Sequence, residues 1–230
     1  VARDPGDSLK EIHRADYDIA QTYAFGGGQG LNISKLRPMN AIVNNSGTVS
    51  PGPMAAAERY SFTTLGTRQE KRRGALMIVM NVSHPDIVDF ITSKLDLDKI
   101  NGANISIAIP DNFMEAVIAD EDWTMRFETH HETIRKTMKA KDLMNLVDYA
   151  AHTMGDPGVI FIDRMNNYHL LSEYDEVVFT STNPCGEQPL MADGSCNLGS
   201  INLNALVRKP FTDNAYFDYD RAEKVIFEMI

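Results

Sequence analysis

Apolar residues recur at helical spacing from Leu9 through Ile12, Ala15, Ile19 and Tyr23, which predicts an amphipathic helix ending at Phe25. Ser8-Leu9-Lys10-Glu11 has the form of a capping box at its start. Gly26-Gly27-Gly28-Gln29-Gly30 stops it, and Leu31-Asn32-Ile33-Ser34 then alternates apolar and polar in the manner of a strand. Between Arg37 and Pro53 the chain turns to Pro, Asn, Ser and Gly, a long loop of the kind that usually carries function. Gly74 to Val82 is a nearly unbroken apolar run, hence a strand buried on both faces. Pro85 suits a first helical turn, with Ile87, Phe90 and Ile91 giving that helix its apolar face to about Lys94. A polar connection leads to a strand at Ile105 to Ile109, and Pro110-Asp111 opens a helix through Val117. Lys141 to Met154 is an amphipathic helix closed by Gly155 and Pro157. Val159 to Ile162 and Val177 to Phe179 read as strands, and Arg221 to Ile230 as a helix with Val225, Ile226 and Met229 on one face. Helices alternating with buried strands predict an α/β domain with a largely parallel sheet.

Composition narrows this picture. The chain has 230 residues, 43% of them hydrophobic, enough for a substantial core. A net charge of −10 and a pI near 5.0 argue against a surface built to neutralise nucleic acid, although Lys71-Arg72-Arg73 makes a local basic cluster. There is neither a long apolar span nor a secretory start, so a cytoplasmic protein with no membrane association is expected. Val1 in place of Met, and a last helix that no glycine or proline closes, suggest a piece of a longer polypeptide.

The chemistry gathers at Thr182 to Leu190, TNPCGEQPL, which holds one of only two cysteines. A metal site is not expected: Cys185 and Cys196 have no histidine between them, and no CxxC or HxxxH pair completes a ligand set. His130-His131-Glu132 looks like ligand chemistry only superficially, because adjacent histidines do not share a helical face. A thiolate nucleophile wants a cationic neighbour, whereas the near neighbour is the acid Glu187. Redox or radical chemistry remains. Pro184 and Gly186 turn the chain sharply and present the thiol at a loop tip. Asn183 and Glu187, two residues to either side, can then orient and deprotonate a hydroxyl of a small polyol. A turn holding an inert, buried cysteine is the competing account. The glycines at 26–30 do not fit GxGxxG and follow a helix, so a helix stop explains them better than a dinucleotide fingerprint.

The longer run STNPCGEQPLMADGSCNLGSINL, Ser181 to Leu203, resembles the finger loop of ribonucleotide reductase catalytic subunits, and its NPCGEQPL form is similar to that of the adenosylcobalamin-dependent class II. DSLKEI at Asp7, GGGQGLNISKLRP at Gly26, RRGALM at Arg72, HPDIVDFI at His84, GANISI at Gly102 and PGVIFID at Pro157 follow in the family's order.

The resemblance implies a fold, part of a ten-stranded α/β barrel with a central finger loop at about 181–197, the whole chain 1–230 being one partial domain. It implies that Cys185 forms a thiyl radical that abstracts the 3′ hydrogen of a ribonucleotide, that Glu187 is the base on the 3′ hydroxyl, and that Asn183 holds the sugar hydroxyls. Cys196 would be one of two cysteines that supply two electrons by forming a disulfide. Its partner in the family lies on a strand before the DSL helix, which this sequence lacks. Such chemistry suits a sulfur buried at the loop apex. Gly27 and Gly28 correspond to backbone lying against substrate. Asp7, Ser8, Leu9 and Arg37 correspond to a deoxynucleoside triphosphate effector site at a homodimer interface, within the elements 7–104, and Asp98 to Asn104 to the loop relaying effector identity. The implied partners are a ribonucleoside diphosphate, with a triphosphate also compatible, and a thioredoxin- or glutaredoxin-type reductant acting through a C-terminal cysteine pair absent here. The implied cofactor is adenosylcobalamin, with no directly bound metal. The piece alone is expected to be inactive and poorly soluble. Two alternatives stay open: a class I large subunit served by a separate metal-radical subunit, and a nucleotide-binding regulatory module without chemistry.

Overall fold

The computed structural model describes residues 1–43, 47–69, 72–174 and 176–229. It divides into two compact units, Val1–Gly194 and Ser195–Ile230.

In the first unit, α1 (Leu9–Ala24) begins at Ser8, whose hydroxyl accepts from the Glu11 amide at 3.2 Å. Only half of the expected capping box forms. The Glu11 carboxylate accepts from the Ser8 hydroxyl at 2.9 Å, while the Ser8 amide donates to the Gly6 carbonyl at 2.8 Å. Strand β1 (Gln29–Asn32) starts two residues before the alternation that predicted it. The long loop holds one isolated bridge, Ile42 to Val49, and gives way to α2 (Pro53–Gly66), a helix the polar-apolar pattern did not suggest. Strand β2 (Leu76–Asn81), helix α3 (Ile87–Thr92), strand β3 (Asn104–Ile109) and helix α4 (Asp111–Ala119) lie where the pattern puts them.

An unanticipated antiparallel hairpin follows, β4 (Asp122–Glu128) with β5 (Thr133–Lys139). Trp123, Met125 and Phe127 alternate in it, with Met125 buried and Trp123 edge-on to Phe113 at 5.1 Å. Its turn is the His130-His131-Glu132 run, and among the described residues no group of His, Cys, Asp and Glu could hold a metal ion. Then come α5 (Ala140–Met154), which ends at Gly155 in the left-handed region, β6 (Gly158–Phe161), α6 (Ile162–Asn167), and the antiparallel pair β7 (Phe179–Thr182) and β8 (Pro189–Met191). Of the Lys71-Arg72-Arg73 cluster, Lys71 lies outside the described residues, and the backbone of Arg72 and Arg73 pairs with Gln69 and Arg68.

The main sheet is parallel, with strands in the order β1-β2-β3-β6. Each crossover therefore steps one strand further in the same direction. Because such crossovers are right-handed, the helices gather on one face. Leu31, Ile78, Ile105 and Ile107 point into that layer and form a single core with Ile19, Tyr60, Phe90, Phe113 and Val147 of α1 to α5. The other face presents Gly30, Met77, Val79 and Ala108. Its small cluster, Met77, Val79, Ala108 and Ile160, receives only Ile162 and Met165. The described sheet has four parallel strands where the barrel implied by the resemblance has ten.

The second unit holds a short 3₁₀ turn at Leu203–Leu206, a two-residue pairing of Val207–Arg208 with Tyr216–Phe217, and α7 (Tyr219–Met229). Asp218 caps α7 by accepting from the Arg221 amide at 3.0 Å and pairs with Arg208 at 2.7 Å. On the face expected to be apolar, Ile226 and Met229 are exposed, and Ala222 is the buried position.

Candidate active site

The cysteine-bearing turn joins β7 to β8 and lies across the face of the sheet opposite α1 to α5, beside α6. The start of β7 is fixed by Asn166 on α6, whose Oδ1 accepts from the Phe179 amide at 2.8 Å and whose Nδ2 donates to the Phe179 carbonyl at 3.0 Å. From there β7 runs antiparallel above β1. Asn32 Nδ2 donates to the Thr180 carbonyl at 2.9 Å, and the Thr182 carbonyl passes directly over Gly30. Pro184 sits on Gly28, where an added Cβ would stand 2.6 Å from the proline Cγ. At the tip, Asn104 Nδ2 donates to the Pro184 carbonyl at 2.8 Å. These contacts place the tip beside Gly28 and Asn104, at the end of the sheet where its strands begin.

Asn183 closes the turn. Its amide donates to the Gln188 carbonyl at 3.0 Å, its Oδ1 accepts from the Gln188 amide at 3.0 Å, and its carbonyl accepts from the Gly186 amide at 3.0 Å. Gly186 has φ +87°, a conformation L side chains rarely adopt, so the tightness of the turn depends on glycine there. With Oδ1 committed to the turn, the Asn183 Nδ2 makes no hydrogen bond among the described residues. Asn183 is half-buried, and Cys185 and Glu187 are exposed. The expectation of a buried sulfur is therefore corrected: Cys185 is exposed at the tip of a hairpin that lies on a four-stranded parallel sheet. Cys196 is a free, exposed thiol in the second unit.

The residues expected at an effector site do come together at the start of α1. Arg37 Nε donates to Asp7 Oδ2 at 2.7 Å, the Arg37 amide donates to Asp7 Oδ1 at 3.1 Å, and Nη1 donates to the Ile42 carbonyl at 2.8 Å. The guanidinium thus ties the long loop to the helix start, where the sequence suggested a cation open to phosphate. Ser8 is occupied in capping and Leu9 is exposed. In the loop from Asp98 to Asn104, Ile100 is buried and the Gly102 amide donates to Ser61 Oγ at 2.8 Å. Gly102 serves close packing on α2 there, since a Cβ would overlap the Ser61 carbonyl. Gly27 packs on Thr22 of α1 and Gly28 on Pro184, so of the two only Gly28 touches the cysteine turn.

Sequence reasoning missed Asp4, Gly30, Asn32 and Asn104, which seat the turn. A signal existed in Gly28, Gly30 and Asn32, small or polar at alternate positions, opposite Leu31 and Ile33. A strand face without bulk marks close approach of another backbone.

The whole chain, residues 1–230, matches the family described as ribonucleotide reductase, barrel domain. It is 35% identical over 224 residues to the vitamin B12-dependent ribonucleoside-diphosphate reductase of Thermoplasma acidophilum, covering 96% of this chain and 28% of that protein. The protein of the same description from Mycobacterium tuberculosis is 35% identical over 222 residues, 95% of this chain and 31% of its own length. A vitamin B12-dependent ribonucleotide reductase of Rhodopirellula baltica is 30% identical over 241 residues, 94% of this chain and 22% of that one. The chain thus spans less than a third of the length of each. A model of the barrel domain matched from end to end, relatives that align along nearly all of the chain, and a parallel α/β sheet with a cysteine hairpin on its open face lead to one conclusion: the chain belongs to the ribonucleotide reductase barrel-domain family.

Proposed function

We propose that this chain is the thiol-bearing part of an adenosylcobalamin-dependent ribonucleotide reductase catalytic subunit, and that the whole protein reduces ribonucleoside diphosphates. The observation that carries this reading is the turn that holds Asn183, Cys185 and Glu187 within five residues, seated by specific bonds on the face of the sheet opposite α1 to α5. A Cys185 thiyl radical takes the 3′ hydrogen of the ribose, Glu187 accepts the 3′ hydroxyl proton, and Asn183 Nδ2 donates to a sugar hydroxyl. The 2′ hydroxyl leaves as water. Two electrons and the protons for this come from Cys196 and a second thiol, which join as a disulfide that a thioredoxin- or glutaredoxin-type dithiol reduces again.

The residues present fit the cofactor at one point: Cys185 is exposed at a tip flanked by Pro184 and Gly186, so its sulfur is open to a radical source from outside the turn. Adenosylcobalamin, when bound, supplies the one-electron chemistry that removes the hydrogen atom of the Cys185 thiol. The four parallel strands belong, in this reading, to the ten-stranded barrel, with the hairpin as the stem of a finger loop reaching to about 197 and Cys185 interior once the barrel closes. Asp7, Ser8, Leu9 and Arg37 form one edge of a deoxynucleoside triphosphate site in a homodimer, the Asp7–Arg37 clasp shaping its loop. Gly28 permits the approach of the cysteine turn, and Gly27 that of substrate. No helix among the described residues is long and apolar enough to cross a membrane.

The test uses full-length protein with Cys185→Ser. Deoxynucleotide formation is expected to fall to background while effector binding persists; turnover by that variant would sink the radical assignment. Wild-type turnover without added adenosylcobalamin would point instead to a separate metal-radical subunit.

A further inference from the structure

We propose that Asp4 is a positioning residue for the cysteine turn, the one that fixes where β7 stands on β1. The inference rests on the reading of Cys185 as the reacting thiol. The Asp4 side chain is only 5% exposed, and it belongs neither to the turn nor to the proposed effector site. Its Oδ1 accepts from the Asn32 amide at 2.9 Å and from the Thr180 hydroxyl at 3.2 Å, while Oδ2 pairs with Lys35 at 3.4 Å. Asn32 in turn donates from Nδ2 to the Thr180 carbonyl at 2.9 Å. Thr180 is thereby gripped through its hydroxyl and its carbonyl by two residues that are themselves bonded to each other.

This grip sets the register. Thr180 is held above Asn32, so Thr182 stands over Gly30, the one position on β1 between Gly28 and Asn32 that leaves space for a carbonyl oxygen. Pro184 then falls on Gly28, within reach of Asn104 Nδ2. A slip of one residue would move the tip by about 3.4 Å and turn its side chains to the opposite face. Burying a carboxylate is costly unless it is paired and bonded, and here one oxygen serves both strands whose relative position matters.

Asp4→Ala, Asp4→Asn and Thr180→Val in the full-length enzyme test the proposal through kcat, KM and amide hydrogen exchange over 179–184. Asparagine keeps the Oδ1 acceptor. Asp4→Ala is expected to lower kcat about tenfold, leave KM within about twofold and speed exchange in that segment alone. Thr180→Val should behave alike, the double variant should be no worse than either single one, and Asp4→Asn should restore kcat to within about twofold. Unchanged kcat in Thr180→Val, an Asp4→Asn as impaired as Asp4→Ala, or faster exchange throughout the sheet would overturn it; Thr180→Val still decides if Asp4→Ala does not fold. Exchange is read without turnover, so failure here is separable from failure of the Cys185→Ser test.

Discussion

At the scale of single residues, the cysteine turn depends on groups that carry no chemistry. Gly30 is the sharpest case, because any Cβ there occupies the space of the Thr182 carbonyl oxygen, which is backbone and cannot rotate away. Gly30→Ala is expected to lift β7 off the sheet, lowering stability by about 1–3 kcal/mol and activity by more than that loss of stability explains. Urea denaturation alongside kcat/KM checks this; wild-type values in both would show that β7 does not lie on Gly30 in solution. Arg37 teaches a related lesson. An arginine in a polar loop suggests a phosphate ligand, yet its Nε and Nη1 are spent on Asp7 and the Ile42 carbonyl.

At the scale of elements, α1 shows what a start signal contributes. Ser8 caps the helix through the Glu11 amide, and Ser8→Ala should cost about 1 kcal/mol, seen as a lower urea midpoint with unchanged slope. A change near zero would mean that Asp7 or water replaces the hydroxyl. The β4–β5 hairpin acts at the same scale, steadying the long loop. Glu132 in its turn accepts from the Ile42 amide at 3.1 Å, and Lys136 on β5 donates to Asp86 Oδ1 at 3.3 Å, while Asp86 Oδ2 accepts from the Met39 amide at 2.7 Å. The loop from Arg37 to Ile42, held at one end by Asp7, is thus also braced by a hairpin some ninety residues later in the chain.

For the whole molecule, His84 links this packing to pH. It is buried, its Nδ1 accepts from the Asp86 amide at 3.0 Å, and Nε2 therefore carries the proton shared with the Leu36 carbonyl at 2.9 Å. Burial holds the imidazole below its ordinary value; the Leu36 carbonyl and Asp86 oppose this, and Lys136 adds to it. The unfolded chain, with a histidine value of about 6.5, then binds the proton more readily than the fold does. His84 should leave stability intact above that pH and withdraw it progressively as pH falls from there toward the depressed folded value. Melting temperatures of wild type and His84→Gln between pH 7.5 and 5.5 should show the steeper acid loss in wild type. Parallel curves would remove His84 from the account.

What the sequence determined by itself was local. Periodicity placed α1, β2, α3, β3, α4 and α5 because burial on one stripe or on both faces leaves its mark on consecutive residues. The turn at Cys185 was legible for the same reason: Pro184 and Gly186 act on their own backbone. The pattern did not foresee α2, the β4–β5 hairpin, α6 or β8. In α2 Tyr60 is buried, but the other buried positions, Pro53, Ala56, Ala57, Ser61 and Thr64, are too small or polar to draw a helical stripe, and the β4–β5 alternation is diluted by charge. Only the tertiary structure decided what seats the cysteine turn. Asp4, Gly30, Asn32 and Asn104 gain their roles from Thr180, Thr182 and Pro184, far along the chain; the face without bulk at Gly28, Gly30 and Asn32 marks that a backbone approaches, but no local pattern records which one.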